Sequence, residues 1–160
     1  MEPRVELVSY FLRKFVVEGG CAPRKQAESA LLPVPTISIE QRYNPENPNN
    51  RAIFMTVLLE PKDKDDYRIQ AEIMGLFDVT GDATKEKIAG VAALNGASIL
   101  YGILRSEISS LTANFIRGRA LLPAVYMKDV LANSMELLPP DSVAAAPPPA
   151  SAPKKRAKRA

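Results

Sequence analysis

The pattern of apolar and polar positions changes period once along the chain, near residue 81. Before that point apolar residues alternate, as in strands; after it they recur every three or four positions, as in helices. The clearest alternation is "YRIQAEIMGLFDV", where Tyr67, Ile69, Ala71, Ile73, Phe77 and Val79 oppose Arg68, Gln70, Glu72 and Asp78. This predicts a strand with one buried face. "PRVELVSYFLRKFVVE" predicts a long first strand with Val5, Leu7, Phe11, Phe15 and Val17 on one face, while Tyr10 and Leu12 make the other partly apolar. "TISIEQRY" predicts a second strand and "RAIFMTVLLE" a third, whose apolar residues on both faces fit a sheet covered on each side. "YNPENPNN" and "PKDKDD" carry the turn residues between them. The whole predicts a four-stranded antiparallel meander. Between the first two strands, "GGCAPRKQAESALLPVP" has the Gly and Pro punctuation of a connection, with one or two helical turns expected over 25–31 and an unusually apolar end at Leu31, Leu32 and Val34.

After Gly81, "ATKEKIAGVAALNG" predicts a short helix capped by Asp82 or Thr84, with Glu86 in its first turn. A long helix is then expected over 97–117, where Leu100, Leu104, Ile108, Leu111 and Phe115 form a stripe widened by Ile99 and Ile103. Gly118 stops it, Pro123 prevents "RALLPAVYM" from continuing it, and "MKDVLANSMEL" forms a final helix. The predicted class is therefore α+β, a four-stranded antiparallel sheet followed by a long helix with short flanking helices.

The chain of 160 residues predicts one domain, and with 6% aromatic content and no Trp its core must rest on aliphatic side chains. Cys21 is the single cysteine, which excludes an internal disulfide framework, and no basic and apolar leader opens the chain. No uninterrupted apolar run approaches the ~20 residues that cross a bilayer, so a cytoplasmic protein without membrane insertion is expected. The formal charge of +3 divides unevenly: residues 139–160 hold five Lys or Arg and one acid, leaving 16 basic and 17 acidic residues upstream. That tail also carries six of the 14 prolines and little to bury. A folded domain over 1–138 and a disordered Pro/Ala-rich tail over 139–160 with a basic end follow.

Catalytic patterns are thin. With no His there is no imidazole base and no His-containing metal site. "DKDD" lacks the Gly and Glu that a calcium loop requires, and "GDATKEK" lacks the Gly-Lys-Ser/Thr ending of a phosphate loop. Cys21 is a lone thiol with Arg24 and Lys25 nearby, better taken as incidental than as reactive. No enzymatic activity, metal or cofactor is expected.

The order of four antiparallel strands, a short helix, a long helix, a Pro-bearing apolar loop and a final helix resembles the SecB protein-export chaperones. That family closes its last strand on Gly-Ile-Phe-x-Ile, where this chain has "GLFDV". Its long helix opens on Ile-Leu, an aromatic, Pro-Tyr-x-Arg, and continues through Ile-Ser to an Arg/Lys-Gly loop with Pro and Pro-Val. Here "ILYGILRSEISSLTANFIRGRALLPAVYM" keeps Ile99, Leu100, Tyr101, Arg105, Ile108, Ser109, Leu111, Gly118, Pro123 and Val125, while Gly102 replaces the expected Pro. The similarity runs over 4–132 and is strongest over 67–127.

The resemblance implies an ATP-independent holding chaperone that keeps unfolded polypeptides unaggregated, for protein export or for another client such as an antitoxin. It also implies a homotetramer built as a dimer of dimers, with sheets joined edge to edge and long helices packed across Leu100, Leu104, Ile108, Leu111 and Phe115. Client grooves would lie between the connection over 19–35, the sheet and the loop over 118–127. Leu31, Leu32, Val34, Tyr101, Leu121, Leu122, Val125 and Tyr126 are the residues expected to bind non-native chains, because apolar burial selects unfolded segments without a sequence match. Plain core packing is the alternative for each. The family docks the translocation motor SecA through acidic residues on the open face of the sheet. Here Glu18, Gln70 and Glu72 occupy that region with Lys14 and Arg68 among them, so weak docking is expected. Lys154, Lys155, Arg156, Lys158 and Arg159 offer a nonspecific contact to anionic partners, nucleic acid included. The rival readings are a nucleic-acid module, which the near-neutral body disfavours, and a structural oligomer built on the helix stripe.

Overall fold

The computed structural model describes residues 3–19, 22–25 and 28–135. Cys21 and the tail over 139–160 lie outside them. Strands β1 (Arg4–Glu18), β2 (Thr36–Tyr43), β3 (Asn50–Leu59) and β4 (Arg68–Thr80) are followed by helices α1 (Lys85–Thr112) and α2 (Met127–Met135). All neighbouring strands are antiparallel, but the order is β1-β4-β3-β2, so only β2, β3 and β4 form a meander. β1 lies beside β4 instead, and the connection over 19–35 carries the chain to the opposite edge of the sheet. Local alternation specifies each strand; it does not specify which strand is its neighbour.

The core forms between one face of the sheet and α1. Ile53, Met55 and Val57 of β3 and Ile69, Ala71, Ile73 and Phe77 of β4 meet Ala97, Leu100, Leu104 and Ile108 of α1. A second, smaller cluster joins Val79 to Ile88 and Ala92 at the start of the helix. Two irregularities in the β1–β4 register, between Leu7 and Ser9 and between Leu12 and Lys14, correct the expected faces of the first strand. Paired residues share a face, so Val5, Leu7, Tyr10, Leu12, Phe15 and Val17 lie toward α1, while Phe11, opposite Met74, lies on the open side. An extra residue in a strand reverses every later side chain, which simple alternation cannot anticipate.

Among the described residues the sheet is covered on one face, not two. On the open face the Phe54 ring is capped by guanidinium groups, Arg42 at 4.9 Å and Arg13 at 5.6 Å from its centroid, which accounts for an aromatic where no second helix lies.

The two helices expected over 83–117 are one. Thr84 caps it, its side chain accepting from the Lys87 N–H, and Glu86 stands in the first turn. Gly96 does not interrupt it: a Cβ there would come within 2.3 Å of Ile53 Cδ1, so the glycine lets the helix approach the sheet. Merged in this way, α1 is long and apolar enough to cross a membrane by length and composition. Its Leu100, Leu104 and Ile108 are nevertheless committed to the sheet of their own chain. The helix ends at Thr112, earlier than expected, and the chain turns through Gly118, whose φ of 79° suits glycine.

Candidate client-binding surface

The connection after β1 and the loop after α1 run side by side. The Leu32 N–H donates to the Leu121 carbonyl and the Leu121 N–H to the Ala30 carbonyl, each at 2.8 Å, forming a parallel bridge between Leu31 and Leu121. Extended backbone sends successive side chains to opposite sides. Leu32 and Leu122 therefore turn inward onto the core, while Leu31 and Leu121 turn outward. The contrast is sharp within one dipeptide: Leu122 is 0% exposed and Leu121 38%.

Side chains from α1 and from the turn before β4 hold this strip in place by satisfying loop backbone groups. Thr112 Oγ1 accepts the Ala120 N–H at 2.8 Å while donating to the Ile108 carbonyl at 2.7 Å. Tyr67 Oη donates to the Gly118 carbonyl, Tyr101 Oη to the Pro123 carbonyl at 2.9 Å, and Arg105 Nε to the Leu122 carbonyl at 3.0 Å. Arg117, from the turn after α1, reaches Asp66 at 2.8 Å and Glu28 at 3.1 Å. It thereby ties the turn before β4, the crossover connection and the post-helix loop together. Asp66 is thus not part of a merely solvated "DKDD" tip. Burial raises the pKa of Tyr101, partly offset by Arg105, and raises that of Tyr67 against Arg24 and Arg117. Both phenols accordingly keep the proton they donate.

The eight residues expected to bind clients are not gathered into one groove. Leu31 and Leu32 border a cleft of ≈ 270 Å³ that also includes Tyr67, Asp66 and Arg117. Tyr101, Val125 and Tyr126 border another of ≈ 470 Å³ between α1 and the loop. Val34 borders a third of ≈ 660 Å³, shared with Ile37, Phe54 and Val130 of α2. Leu31, Val34, Leu121 and Tyr126 are exposed, Leu32 and Val125 are half-buried, and Tyr101 and Leu122 are core residues, of which only Tyr101 keeps a small edge, 5% of its surface, in reach of solvent. Sequence reasoning overlooked Ile116, which is exposed beside the strip, and the anchoring roles of Arg117, Arg105 and Thr112. An exposed isoleucine just past a helix end carries a detectable signal; the anchors, which depend on distant partners, do not.

The helix stripe expected at an oligomer contact is largely spent within the chain. Leu100, Leu104 and Ile108 are fully buried against the sheet, Phe115 is half-buried with its ring 6.0 Å from that of Tyr67, and Leu111 alone of the five is exposed. One stripe cannot cover two partners. On the open sheet face, Gln70 and Glu72 are half-buried, and Glu18 is paired with Arg68, which also holds Glu60. Lys14 stands directly opposite Glu72 in the register. Each acid of the expected docking region thus has a base as neighbour. The basic tail from Lys154 to Arg159 lies outside the described residues.

With this geometry established, comparisons bear on the fold. No protein-family profile matches the chain. It resembles a SecB-like chaperone of Mycobacterium tuberculosis, Rv1957, whose structure was solved with a ChAD peptide from the Rv1956 HigA1 antitoxin. The TM-score is 0.51 and the identity 19%, over 76% of this chain and 91% of that one. The fold is SecB-like. A Streptococcus agalactiae protein of unknown function overlaps 76% of this chain and 98% of its own at 11% identity, with a TM-score of 0.49, too low to carry an argument. In sequence, the chain is 32% identical over 107 residues to an uncharacterized protein of Methanocaldococcus jannaschii, covering 63% of this chain and 66% of that protein, just under two thirds of its length.

Proposed function

We propose that this protein is a holding chaperone that binds unfolded polypeptide segments on the strip formed by residues 30–34 and 116–126. The observation that carries this reading is the outward set Leu31, Val34, Ile116, Leu121 and Tyr126, displayed on two segments whose backbone is hydrogen-bonded at Ala30, Leu32 and 120–123. Each apolar side chain covered by a client would contribute roughly 25 cal/mol per Å² removed from water. A rigid platform minimises the ordering cost of binding. Because burial of this kind requires no nucleotide, binding and release are proposed to be independent of ATP and of any cofactor, in the cytoplasm.

The SecB-like fold supports a chaperone role, and the antitoxin peptide bound by the M. tuberculosis protein favours a client of that kind over export. The Glu18–Arg68 ion pair and the register of Lys14 opposite Glu72 point the same way, since an acidic docking face with bases set among its acids attracts a basic partner weakly. Assembly is proposed through β1. This 15-residue edge strand exposes Val8, Tyr10, Phe11 and Leu12, and an edge of that length and composition calls for cover by a second copy. Two such dimers would make the tetramer, using the exposed Ile99 and Leu111 of α1 in place of the buried stripe residues.

The test is light scattering of a chemically unfolded, unrelated protein diluted into buffer without ATP, with wild type or a Leu31→Ser, Leu121→Ser, Tyr126→Ser variant. Suppression by wild type near one oligomer per client, lost in a variant with an unchanged circular dichroism spectrum, is the expected result. No suppression by wild type would leave the likeness as one of architecture alone.

A further inference from the structure

At the end of the sheet away from the client strip, Arg51 opens the buried face of β3. It is paired in register with Tyr43 of β2 and Phe77 of β4, and only 7% of it reaches solvent. A guanidinium taken out of water must find acceptors, because its unpaired donors otherwise cost more than the burial returns. Among the described residues Arg51 makes no ion pair and its Nε has no hydrogen-bond acceptor. Among the described residues its one aromatic contact is the Tyr43 ring, whose centroid lies 5.3 Å from the guanidinium carbon. That contact favours the charge but accepts no in-plane N–H. Desolvation holds the Arg51 pKa below the usual guanidinium value, partly offset by Tyr43.

The residue borders a cleft of ≈ 320 Å³ with Tyr43, Pro45, Pro48 and Lys85. Lys85 is the first residue of the 28-residue helix α1, so a second cationic residue borders the cleft at the positive end of the helix dipole, where the Lys87 N–H is already taken by the Thr84 cap. The acid next to it, Glu86, is fully exposed and turned back on the cap, where its own backbone N–H, the Thr84 hydroxyl and, least of these, the Lys85 charge lower its pKa. It offsets part of the Lys85 charge but does not line the cleft.

We propose that this cleft binds a phosphate-type oxyanion, with Arg51 and Lys85 as its two cationic contacts and the N-terminus of α1 behind them. Two cations and a helix end match a dianion better than a single carboxylate, which would leave one charge unmatched. Pro45, Pro48 and Tyr43 complete the lining around the two cations. The shared chemistry is the phosphate itself, whether free or as a monoester, and the proposal stands apart from the chaperone reading.

The test is calorimetric titration of the full chain with inorganic phosphate at fixed ionic strength, with phenyl phosphate and acetate as comparators. Saturable binding of one phosphate per chain is expected, at least about tenfold tighter than acetate given the charge match. Lys85→Ala should weaken it several-fold and Arg51→Met should abolish it. Phenyl phosphate binding as tightly as the free ion would assign the site to monoesters; weaker binding would assign it to the free ion. Should Arg51→Met fail to fold, Lys85→Ala decides, because that side chain sits exposed on the helix end. Absence of saturable binding, equal affinity for acetate, or binding unchanged by Lys85→Ala would overturn the proposal.

Discussion

The α1–β4 interface and the strip over 30–34 and 116–126 are both rich in aliphatic side chains, yet they use them differently. In the first, Ile73, Phe77, Leu100 and Leu104 all close on one another and leave almost nothing to solvent. In the second, extended backbone divides neighbouring leucines, one inward and one outward, and distant side chains fix the division. Composition alone therefore cannot say whether a leucine stabilises the fold or presents a surface. The hydrogen-bonding direction of the backbone that carries it decides.

The adjacent pair Leu121 and Leu122 gives the strongest means of breaking that contrast. Leu122→Ala should cost about 2–5 kcal/mol in urea denaturation, the range for a fully buried leucine, whereas Leu121→Ser should change stability by less than about 1 kcal/mol. Equal costs would mean that both leucines are core. Next in size is Arg117→Ala. Its partners Glu28 and Asp66 are each about one-third exposed, which discounts the pairing, so a loss of about 1–2 kcal/mol is expected. Hydrogen exchange should accelerate at the Leu32 and Leu121 amides and remain unchanged in β3. Uniform acceleration would show that the strip is not separately anchored.

A smaller effect, about 1 kcal/mol, is expected for Tyr101→Phe, which leaves the Pro123 carbonyl without its donor. The raised pKa values of Tyr101 and Tyr67 give this a pH signature. Unfolded tyrosines release their protons near pH 10, while the folded ones hold theirs higher. The stabilisation is therefore complete below that pH and is lost as pH rises through the folded values. Tyr101→Phe should flatten the alkaline decline in stability. The smallest change runs the other way: Gly102→Ala on the outer side of α1, where an added Cβ meets nothing within 4 Å, should stabilise by roughly 0.5–1 kcal/mol. Destabilisation there, measured on an isolated chain, would show that the helix packs more closely than described.

Strands β2, β3 and β4 were legible because alternating apolar residues and Asn, Pro and Asp turns agree in them. β1 was legible as a strand but not in its faces, since the irregularities after Leu7 and Leu12 come from pairing with β4. The break expected near Gly96 was absent because that glycine serves an approach to Ile53 that exists only in the folded chain. The regions on either side of the candidate surface were named from a resemblance and the apolar loop sequence. The division of Leu31 and Leu121 from Leu32 and Leu122 was not, because it rests on two backbone hydrogen bonds between segments about 90 residues apart. The same holds for Arg117, whose partners lie 51 and 89 residues away in the chain.

The most direct test of the central claim is site-specific photo-crosslinking. A benzophenone side chain is placed in turn at Leu121, at Tyr126 and, as a control on an exposed stretch of α1 that borders none of the three clefts, at Gly90, and each protein is irradiated with an unfolded client. Crosslinks to the client from Leu121 and Tyr126 and few from Gly90 are the predicted result. Equal yields at all three positions, or client capture at Gly90 alone, would contradict the central claim.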